Sequence, residues 1–271
     1  MNTLRTMSRD SKLPRLEMQM LWRHVLQVPR SWLIAHDTDP LANTAIVRFR
    51  ELEARRLAGE PMAYIVGYRE FMEYEFLVSP AVLIPRPETE LLVETGLDYL
   101  KGKRSPRVLD LGTGSGAVAV SIALRCPGAT VVATDLSSAA LEVARTNARL
   151  LGAQVDFLQG GWYDALAGRK DFDLIVSNPP YIAAADSHLK EGDLRFEPVT
   201  ALTDGSDGLS ALRVIIEGAA GRLLAGGALF VEHGWDQSQD VRQLLQSTGF
   251  KRVASAPDLA GIDRVTGGIY N

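Results

Sequence analysis

Apolar residues in the N-terminal part of the chain recur every three or four positions, the spacing of helices with one buried face. This pattern predicts helices over 16–27 and 41–57. Residues 1–12 are mainly polar and are expected to be frayed. The N-terminal part of the chain is therefore predicted to form a small bundle of helices.

The pattern changes over 64–84, where aromatic and β-branched residues occur in short runs. Such runs, separated by turn residues, are typical of a hairpin. Pro85 and Pro87 follow, and a helix is expected to begin near Glu88. The segment is interpreted as a linker that contains two short strands.

From Arg107 onward, short apolar runs alternate with longer segments of helical periodicity. This alternation predicts an α/β fold, a parallel sheet with helices on both of its faces. The predicted strands cover 108–111, 130–134, 155–158, 172–176 and 228–232. The predicted helices cover 118–125, 138–151, 209–224 and 236–247, the third closed by Gly226 and Gly227. Two late strands, over 252–256 and 264–270, could pair as an antiparallel edge.

Composition and charge narrow the classes of function. The chain has 271 residues, a net charge of −4 and one cysteine, Cys126. A general nucleic-acid binder usually carries a basic surplus, so no direct nucleic-acid binding is expected. One cysteine can form no internal disulfide, and the four histidines lack metal-ligand spacing, so no metal is expected.

No signal-peptide core and no run of about 18 apolar residues occurs, which predicts a cytoplasmic protein without a membrane span. Nothing in the sequence argues for an oligomer, so a monomer is expected.

A glycine-rich loop follows the first strand of the predicted sheet and opens a helix. Its residues are Gly112, Thr113, Gly114, Ser115 and Gly116. Glycines let the backbone approach a ligand closely, and the helix N-terminus offers free N–H groups. Asp135 ends the next strand, where a carboxylate can accept hydrogen bonds from both hydroxyls of a ribose. The two features predict a nucleotide-like cofactor, although the loop also fits the dinucleotide fingerprint in its loose form.

A second motif follows the strand over 172–176. Its residues are Asn178, Pro179, Pro180 and Tyr181. The prolines hold the backbone extended and donate no N–H, so carbonyl oxygens along the segment stay free to accept hydrogen bonds. Together with the Asn178 side-chain oxygen, they could hold the two N–H bonds of one –NH₂ group, and Tyr181 could stack on its planar surroundings.

This motif suits methyl transfer to a conjugated nitrogen. An amide nitrogen is a poor nucleophile because its lone pair is delocalised into the carbonyl group. Holding both N–H bonds while the nitrogen faces the methyl donor would favour the tetrahedral transition state, mainly through positioning and electrostatics. The residues therefore indicate an S-adenosylmethionine-dependent methyltransferase that acts on a planar amide or amine.

Several further segments resemble one family, the glutamine N5-methyltransferases of peptide chain release factors, which are class I methyltransferases with an Asn-Pro-Pro-Tyr motif. The resemblance covers about 55–271. It rests on Gly59-Glu-Pro-Met-Ala-Tyr-Ile-Val-Gly67, Arg69-Glu70-Phe71, Val78-Ser79-Pro80, Leu83-Ile84-Pro85-Arg86-Pro87-Glu88-Thr89-Glu90, Val176-Ser-Asn-Pro-Pro-Tyr-Ile182, Arg195-Phe-Glu-Pro198, Glu232-His-Gly-Trp235 and Arg264-Val265-Thr266.

The resemblance implies a Rossmann-like seven-stranded methyltransferase domain over 87–271. A helical domain over 1–66 would help to dock the substrate, and a β-hairpin linker over 67–86 would join the two. The implied reaction transfers a methyl group from S-adenosyl-L-methionine to the glutamine of a Gly-Gly-Gln motif in release factors, with S-adenosyl-L-homocysteine as the product.

Carried over to this chain, the glycine loop and Asp135 would bind the cofactor, and Trp162 would line its adenine pocket. The segment from Asn178 to Tyr181 would hold the glutamine amide, with Asn178 also contacting the cofactor. The family often has an acidic residue where this chain has Gly161, which weakens the assignment of Trp162.

Four rival interpretations remain at this point. An adenine N6-methyltransferase of DNA or RNA would act on the same kind of –NH₂ group. A ribosomal-protein glutamine methyltransferase would differ in the N-terminal segment. A nicotinamide-dependent oxidoreductase would explain the glycine loop but gives Asn-Pro-Pro-Tyr no role. A non-enzymatic release-factor-binding protein would have no affinity for the cofactor.

Overall fold

The computed structural model describes residues 2–271 of the chain. They divide into two compact units, one ending at Tyr68 and the other spanning Arg69–Asn271. Each unit contains its own hydrophobic core. Residue 1, which the predicted helical domain over 1–66 includes, lies outside the described residues.

The first unit is made of helices, as the periodicity predicts. They are α1 (Leu4–Asp10), α2 (Arg15–Leu26), α3 (Arg30–Ala35), α4 (Asn43–Leu57) and α5 (Met62–Val66). The core of this unit forms around α2 and α4, where the rings of Trp22 and Phe49 stack with centroids 4.1 Å apart. Burial of such large side chains supplies most of the stability that a small helical unit can gain.

The prediction that residues 1–12 are frayed is wrong, because α1 forms there. Thr3 and Thr6 cap its first turn reciprocally, with hydrogen bonds of 3.2 Å to the Thr3 hydroxyl and 2.9 Å to the Thr6 hydroxyl. Such a reciprocal cap satisfies backbone N–H groups that the helix itself leaves unpaired. Leu4 and Met7 are both buried, so a single apolar pair three residues apart anchors an otherwise polar segment.

The hairpin is shorter than the segment over 64–84 that was predicted to contain it. Its strands are β1 (Tyr68–Phe71) and β2 (Tyr74–Leu77). Met72 and Glu73 make the turn with φ of 51° and 70°, the backbone twist that tight hairpins prefer. Residues 64–66 belong instead to α5, where Tyr64 and Val66 are buried and Gly67 ends the helix with φ of 86°.

The second unit contains a seven-stranded sheet with helices on both faces. The strands are β3 (Arg107–Leu111), β4 (Thr130–Asp135), β5 (Val155–Gln159), β6 (Phe172–Ser177), β7 (Leu223–Glu232), β8 (Lys251–Pro257) and β9 (Asp263–Ile269). Their order is β5-β4-β3-β6-β7-β9-β8. The first five are parallel, and β9 pairs antiparallel with both β7 and β8. The α/β fold and its antiparallel edge are therefore confirmed.

Six helices accompany this sheet. They are α6 (Glu90–Leu100), α7 (Ala117–Arg125), α8 (Ser138–Leu151), α9 (Val199–Leu202), α10 (Ser210–Ala219) and α11 (Ser238–Ser247). Buried residues of the strands form one core with α6 and α7 and another with α10 and α11. The strand order reverses at β3, which places a ligand crevice at the carboxyl ends of β3 and its neighbours.

The prediction that a helix continues to 224 and is closed by Gly226 and Gly227 is wrong. Helix α10 ends at Ala219, and both glycines lie inside β7, where the pairing with β6 is irregular between Phe172 and Leu174. A Cβ atom on Gly227 would lie 2.9 Å from the Phe172 carbonyl oxygen. The glycine therefore permits a close approach of two strands, a requirement that sequence periodicity does not reveal.

Candidate active site

A cavity of about 530 Å³ opens at the carboxyl ends of β3, β4 and β6. Most of the predicted site residues line it, namely Gly112, Thr113, Gly114, Ser115, Asp135, Trp162, Asn178 and Pro180. Gly116, Pro179 and Tyr181 do not line it, although each lies next to a residue that does. The volume is in the range of small-molecule sites in proteins.

The glycine loop is fixed by hydrogen bonds to the end of β4. The backbone N–H groups of Gly112 and Thr113 each donate to the Thr134 carbonyl oxygen at 2.9 Å. The Thr113 hydroxyl donates to the Asp110 carboxyl group at 2.6 Å. Burial raises the pKa of Asp110 to about 7, against the hydrogen bond from Thr113, which lowers it. These contacts hold the loop in one shape before a ligand binds.

Gly116 is the N-cap residue of α7 with φ of 83°, and a Cβ atom there would lie 3.1 Å from the Ala144 side chain. The close approach of α7 to α8 therefore requires glycine at this position. Gly116 therefore fixes the shape of the loop and does not line the cavity.

Asp135 lies at the end of β4 with its carboxylate at the cavity. It accepts hydrogen bonds from the backbone N–H groups of Gly114 at 2.8 Å and Ser137 at 2.9 Å. Burial raises the pKa of Asp135, while these backbone hydrogen bonds lower it. Each carboxylate oxygen has a second acceptor direction, so the group can still bind a pair of ligand hydroxyls.

Trp162 forms a flat wall beside the glycine loop. A Cβ atom on Gly112 would lie 3.3 Å from the Trp162 ring, so only a residue without a side chain allows this approach. The Thr134 hydroxyl donates to the Trp162 carbonyl oxygen at 3.1 Å and holds the backbone that carries the ring. Gly161 also lines the cavity next to Trp162, and as a glycine it offers no side-chain acceptor there.

Asn178 follows β6 directly and faces the same cavity. Its Nδ2 group donates to the Thr89 hydroxyl oxygen at 3.0 Å, which leaves Oδ1 available as an acceptor. Ser177, the last residue of β6, donates from its hydroxyl to the Leu111 carbonyl oxygen at 2.7 Å. The ends of β3 and β6 are thereby fixed side by side, and Asn178 is brought close to the glycine loop.

Tyr181 is held at both of its polar ends. Its hydroxyl donates to Glu232 Oε1 at 3.2 Å, and its carbonyl oxygen accepts from Gln237 Nε2 at 3.0 Å. Burial raises the pKa of the Tyr181 hydroxyl, and the nearby Glu232 carboxylate raises it further. The tyrosine therefore stays neutral and ties the Asn-Pro-Pro-Tyr segment to the end of β7.

Another part of the cavity wall comes from two segments that are far apart in sequence. Glu197 accepts a hydrogen bond from the Ile84 backbone N–H at 3.0 Å and forms an ion pair with Arg86. Burial raises the pKa of the Glu197 carboxyl group, and Arg86 lowers it. Pro85, Arg86 and Pro198 line the cavity beside this pair.

Sequence reasoning missed Thr89, Glu197 and Glu232 as residues of the site. Each lies in a segment that carries the family resemblance, which was the available signal. Their partners lie 51 to 113 positions away along the chain, so local spacing could not assign them contacts. Among the predicted site residues, Asn178 and Tyr181 are the ones held by them.

The histidines take no part in this cavity. His233 is fully buried, with Nδ1 2.8 Å from the Gly234 carbonyl oxygen and Nε2 2.7 Å from the Thr266 hydroxyl. Burial lowers the pKa of His233, so its hydrogen bonds are those of a neutral ring.

Among the described side chains, no group has the composition of a metal site. No helix in residues 2–271 combines the length and the hydrophobicity of a membrane span.

The cavity fits a ligand with a ribose and an adenine-like ring. Its wall combines a paired-acceptor carboxylate at Asp135, a close backbone at Gly112 and Gly114, and the flat ring of Trp162. Asn178 lines the same cavity, and its Oδ1 atom can accept a hydrogen bond from a second reactant. The geometry therefore suits a nucleoside-type cofactor with its reactive end near Asn178.

Comparison with known proteins identifies relatives of both units. Residues 87–193 match the methyltransferase small domain, and residues 4–67 match the PrmC N-terminal domain. A solved 16S rRNA N2 G1207 methyltransferase of T. thermophilus, in complex with AdoMet and guanosine, has a TM-score of 0.55 and 22% identity. That similarity covers 75% of this chain and 50% of the other and shows a shared fold.

Two sequence relatives are far more similar. The release factor glutamine methyltransferase of Bordetella pertussis is 60% identical over 268 residues, which is 99% of each chain. The release factor glutamine methyltransferase of Burkholderia pseudomallei is 53% identical, over 96% of this chain and 93% of its own. Identity of this extent confirms the resemblance found in the motifs, and the chain belongs to the family of release factor glutamine methyltransferases.

Proposed function

We propose that the protein transfers a methyl group from S-adenosyl-L-methionine to the side-chain amide nitrogen of a release-factor glutamine. The target is the glutamine of the Gly-Gly-Gln motif, and S-adenosyl-L-homocysteine is the second product. One observation supports the proposal: a single cavity is lined by Asp135, whose carboxylate could accept ribose hydroxyls, and by Asn178, whose Oδ1 could accept an amide N–H. The curated relatives with this name cover the whole length of the chain.

The cofactor would occupy the part of the cavity that the glycine loop and Trp162 line. When bound, it supplies an electrophilic methyl group on a sulfonium. Asp135 would accept the ribose hydroxyls, and Trp162 would pack on the adenine. The backbone of Gly112 to Gly116 would lie against the rest of the molecule, and Asn178 would contact its reactive end.

Asn178 would hold the substrate amide in line with the methyl group. Its Oδ1 atom and a backbone carbonyl oxygen of the proline segment would accept the two N–H bonds of the glutamine side chain. Neither Pro179 nor Pro180 has an N–H to donate, so the segment presents acceptors to the substrate. This grip lowers the overlap of the nitrogen lone pair with the carbonyl group and favours attack on the methyl carbon.

No strong base is required beside the substrate nitrogen. The nitrogen becomes a strong acid once it forms its fourth bond, so it releases one of its protons to solvent as the amide is restored. The acceleration would come from positioning and from acceptors aimed at charge that develops in the transition state. Tyr181 does not line the cavity, so it would support the Asn-Pro-Pro-Tyr segment from behind the cavity wall and would not stack on the planar group.

The domain boundaries belong to the proposal as well. A helical domain over 1–66 would dock the release factor, a hairpin linker over 67–86 would follow, and the methyltransferase domain would cover 87–271. The family match over 4–67 and the compact unit that ends at Tyr68 support a division near this position. We also propose a cytoplasmic monomer that binds no nucleic acid directly, which agrees with the net charge of −4.

A labelled-methyl transfer assay tests the function. Purified protein and labelled S-adenosylmethionine would be mixed with a release factor or with the same factor carrying alanine for its Gly-Gly-Gln glutamine. We expect label on the first factor and none on the second. Label on a ribosomal protein, DNA or RNA instead would retain the methyltransferase and refute the proposed substrate, and equal label on both factors would refute the target residue.

A further inference from the structure

The side chain of Asn178 can work as proposed in only one of two orientations. Its amide has an acceptor end, Oδ1, and a donor end, Nδ2, which are nearly equal in size and shape. A substrate –NH₂ group requires Oδ1, and Nδ2 in its place would repel it. Neighbouring residues must therefore decide which end of Asn178 faces the cavity.

Thr89 holds the donor end of this amide. Asn178 Nδ2 donates to Thr89 Oγ1 at 3.0 Å, and Thr89 is 4% exposed, so water does not compete freely for the contact. Thr89 ends a short 3-10 helix over Pro87–Thr89, directly before α6, which fixes its backbone. A hydroxyl has one proton and two acceptor directions, so it could also turn and donate to Asn178. Something must take the hydroxyl proton for the observed orientation to persist.

Glu232 is the group that can take it. The residue is 1% exposed at the end of β7, and its neighbour Val231 pairs with Ser177, which directly precedes Asn178. Glu232 Oε1 accepts from the Tyr181 hydroxyl at 3.2 Å. Within the described part of the chain, Oε2 is buried and has no hydrogen-bond partner, so it is an acceptor that a nearby hydroxyl can satisfy. A carboxylate has no proton to give, so hydroxyl groups beside it donate to it.

The titration of Glu232 agrees with this arrangement. Burial raises the pKa of Glu232 to about 7, whereas the Thr89 and Tyr181 hydroxyls lower it, which means that both stabilise the charged form. Glu88 raises the same pKa and Arg264 lowers it. An ionised carboxyl group without a hydrogen-bond partner at Oε2 is expensive to bury, so a hydroxyl that donates to it lowers this cost.

We propose that Glu232 and Thr89 are positioning residues, which fix the amide of Asn178 with Oδ1 toward the substrate. The inference rests on the proposed function, because only an incoming N–H group makes this orientation matter. Glu232 draws the hydroxyl proton of Thr89, and Thr89 then has only acceptor directions left for Asn178. The hydrogen bonds therefore run in one direction, with Asn178 donating to Thr89 and Thr89 donating to Glu232.

The first test replaces the hydroxyl of Thr89 without changing the size of the side chain. In Thr89→Val, we expect kcat for a release factor to fall about 3- to 10-fold, the effect of one neutral hydrogen bond. The affinity for S-adenosylhomocysteine, measured by calorimetry, should stay the same. Thr89→Ser should restore kcat, since it returns the hydroxyl.

A matched control removes a buried hydroxyl elsewhere in the same unit. Ser121 in α7 is fully buried, and its hydroxyl has no hydrogen-bond partner in the described structure. Ser121→Ala should leave kcat and cofactor affinity unchanged. A similar loss in this variant and in Thr89→Val would show a general packing effect and would overturn the inference.

A double-mutant cycle separates positioning from general damage, because residues that act through one another are not additive. We expect Thr89→Val to cause no further loss in an Asn178→Ala background, measured in single turnovers. Glu232→Gln should lower kcat in the wild-type background and have no further effect in the presence of Thr89→Val. Additive losses, or full kcat in a folded Thr89→Val or Glu232→Gln variant, would overturn the inference.

The result for the wild-type protein distinguishes a failure of the proposed function from a failure of the positioning role. Wild-type protein that labels no release factor would refute the proposed function, and the inference would fail with it. Wild-type protein that labels the factor, together with unaffected variants, would refute the positioning role alone.

Discussion

The orientation of side chains at the cavity is fixed by hydrogen bonds from neighbouring groups. Asp135 is a clear case, because backbone N–H groups of Gly114 and Ser137 fix both of its carboxylate oxygens at the cavity. The order strand, glycine loop, helix, strand and acid is sufficient to predict this residue from sequence. Thr89 and Glu232 could not be predicted in the same way, because their roles depend on contacts between segments far apart in the chain.

Asp135→Asn tests the ribose contact. Loss of the charge weakens two hydrogen bonds to a carboxylate, each worth about 1.5–3 kcal/mol, so the cofactor Kd should rise at least 10-fold. Isothermal titration with S-adenosylhomocysteine would measure it. Asp173→Asn is the matched control, since Asp173 lies in the same sheet and binds Arg107 and Lys103 away from the cavity. An unchanged Kd in Asp135→Asn would place the ribose elsewhere.

The pH dependence of methyl transfer should reflect the protonation of Glu232. Because burial raises the pKa of Glu232 to about 7, lowering the pH through 7 protonates this group. A protonated Glu232 can donate to Thr89, and the preference of Asn178 for one orientation is lost. We therefore expect kcat at saturating cofactor to fall below pH 7.

Glu232→Gln provides the comparison, because glutamine does not titrate there. Its kcat should be lower than that of the wild type at pH 8 and nearly constant between pH 6 and pH 8. The groups that face Glu232 are the hydroxyls of Thr89 and Tyr181, the Glu88 carboxylate and the Arg264 guanidinium. An identical acid limb in wild type and variant would assign the titration to another group, such as Asp110.

Helices and strands are joined by a few buried polar side chains in addition to apolar packing. Asn147 of α8 is 1% exposed and makes three hydrogen bonds. Its amide donates to the carbonyl oxygens of Leu77 and Ser115 and accepts from the Leu77 backbone N–H at 2.7 Å. One side chain thereby connects strand β2 of the hairpin, helix α8 and the glycine loop.

Asn147→Ala should be strongly destabilising for its size. The substitution leaves the buried Ser115 carbonyl oxygen and two part-buried backbone groups of Leu77 without these partners, and a fully buried unpaired group costs about 1–3 kcal/mol. We expect the free energy of unfolding to fall by about 2–4 kcal/mol in urea titrations. Arg149→Ala, at an exposed position of the same helix, should change it by no more than about 0.5 kcal/mol. Equal effects of the two substitutions would show that the hydrogen bonds of Asn147 contribute little.

Prediction from sequence succeeded for elements whose periodicity is long and regular. The alternating strands and helices after Arg107 follow from apolar spacing alone. It failed where a short contact decided the structure, as in α1, which depends on the Thr3 cap, and in β7, where Gly227 permits a close strand approach. The apolar pattern of a segment reflects its preference for helix or strand. The structure of α1 depends in addition on a polar cap, and that of β7 on close contact with a neighbouring strand.

The lining of the cavity comes entirely from one of the two compact units. All of its lining residues lie between Pro80 and Ala201, within the unit Arg69–Asn271. The helical unit that ends at Tyr68 contributes none of them among the described residues. Binding of a small cofactor should therefore stabilise the two units to different extents.

Hydrogen exchange with mass spectrometry would measure this difference. A ligand at 100 times its Kd adds about 2.7 kcal/mol to the state that binds it. We expect S-adenosylhomocysteine to slow exchange in peptides from 80–201 and to leave peptides from α2 and α4 unchanged. Equal protection of both sets would indicate that the two units unfold together.

The seven-stranded sheet ends at β5 on one side and at β8 on the other, so each of these strands has one row of unpaired backbone groups. Such rows are templates on which strands of other molecules can add and grow into fibrils. Strand β5 is only five residues long and contains Asp156, which pairs with Arg169. Strand β8 begins at Lys251, ends at Pro257 and is irregular near both ends. Both borders of the sheet thus oppose growth by strand addition, and we expect the protein to resist polymerising through its sheet edges when it is concentrated.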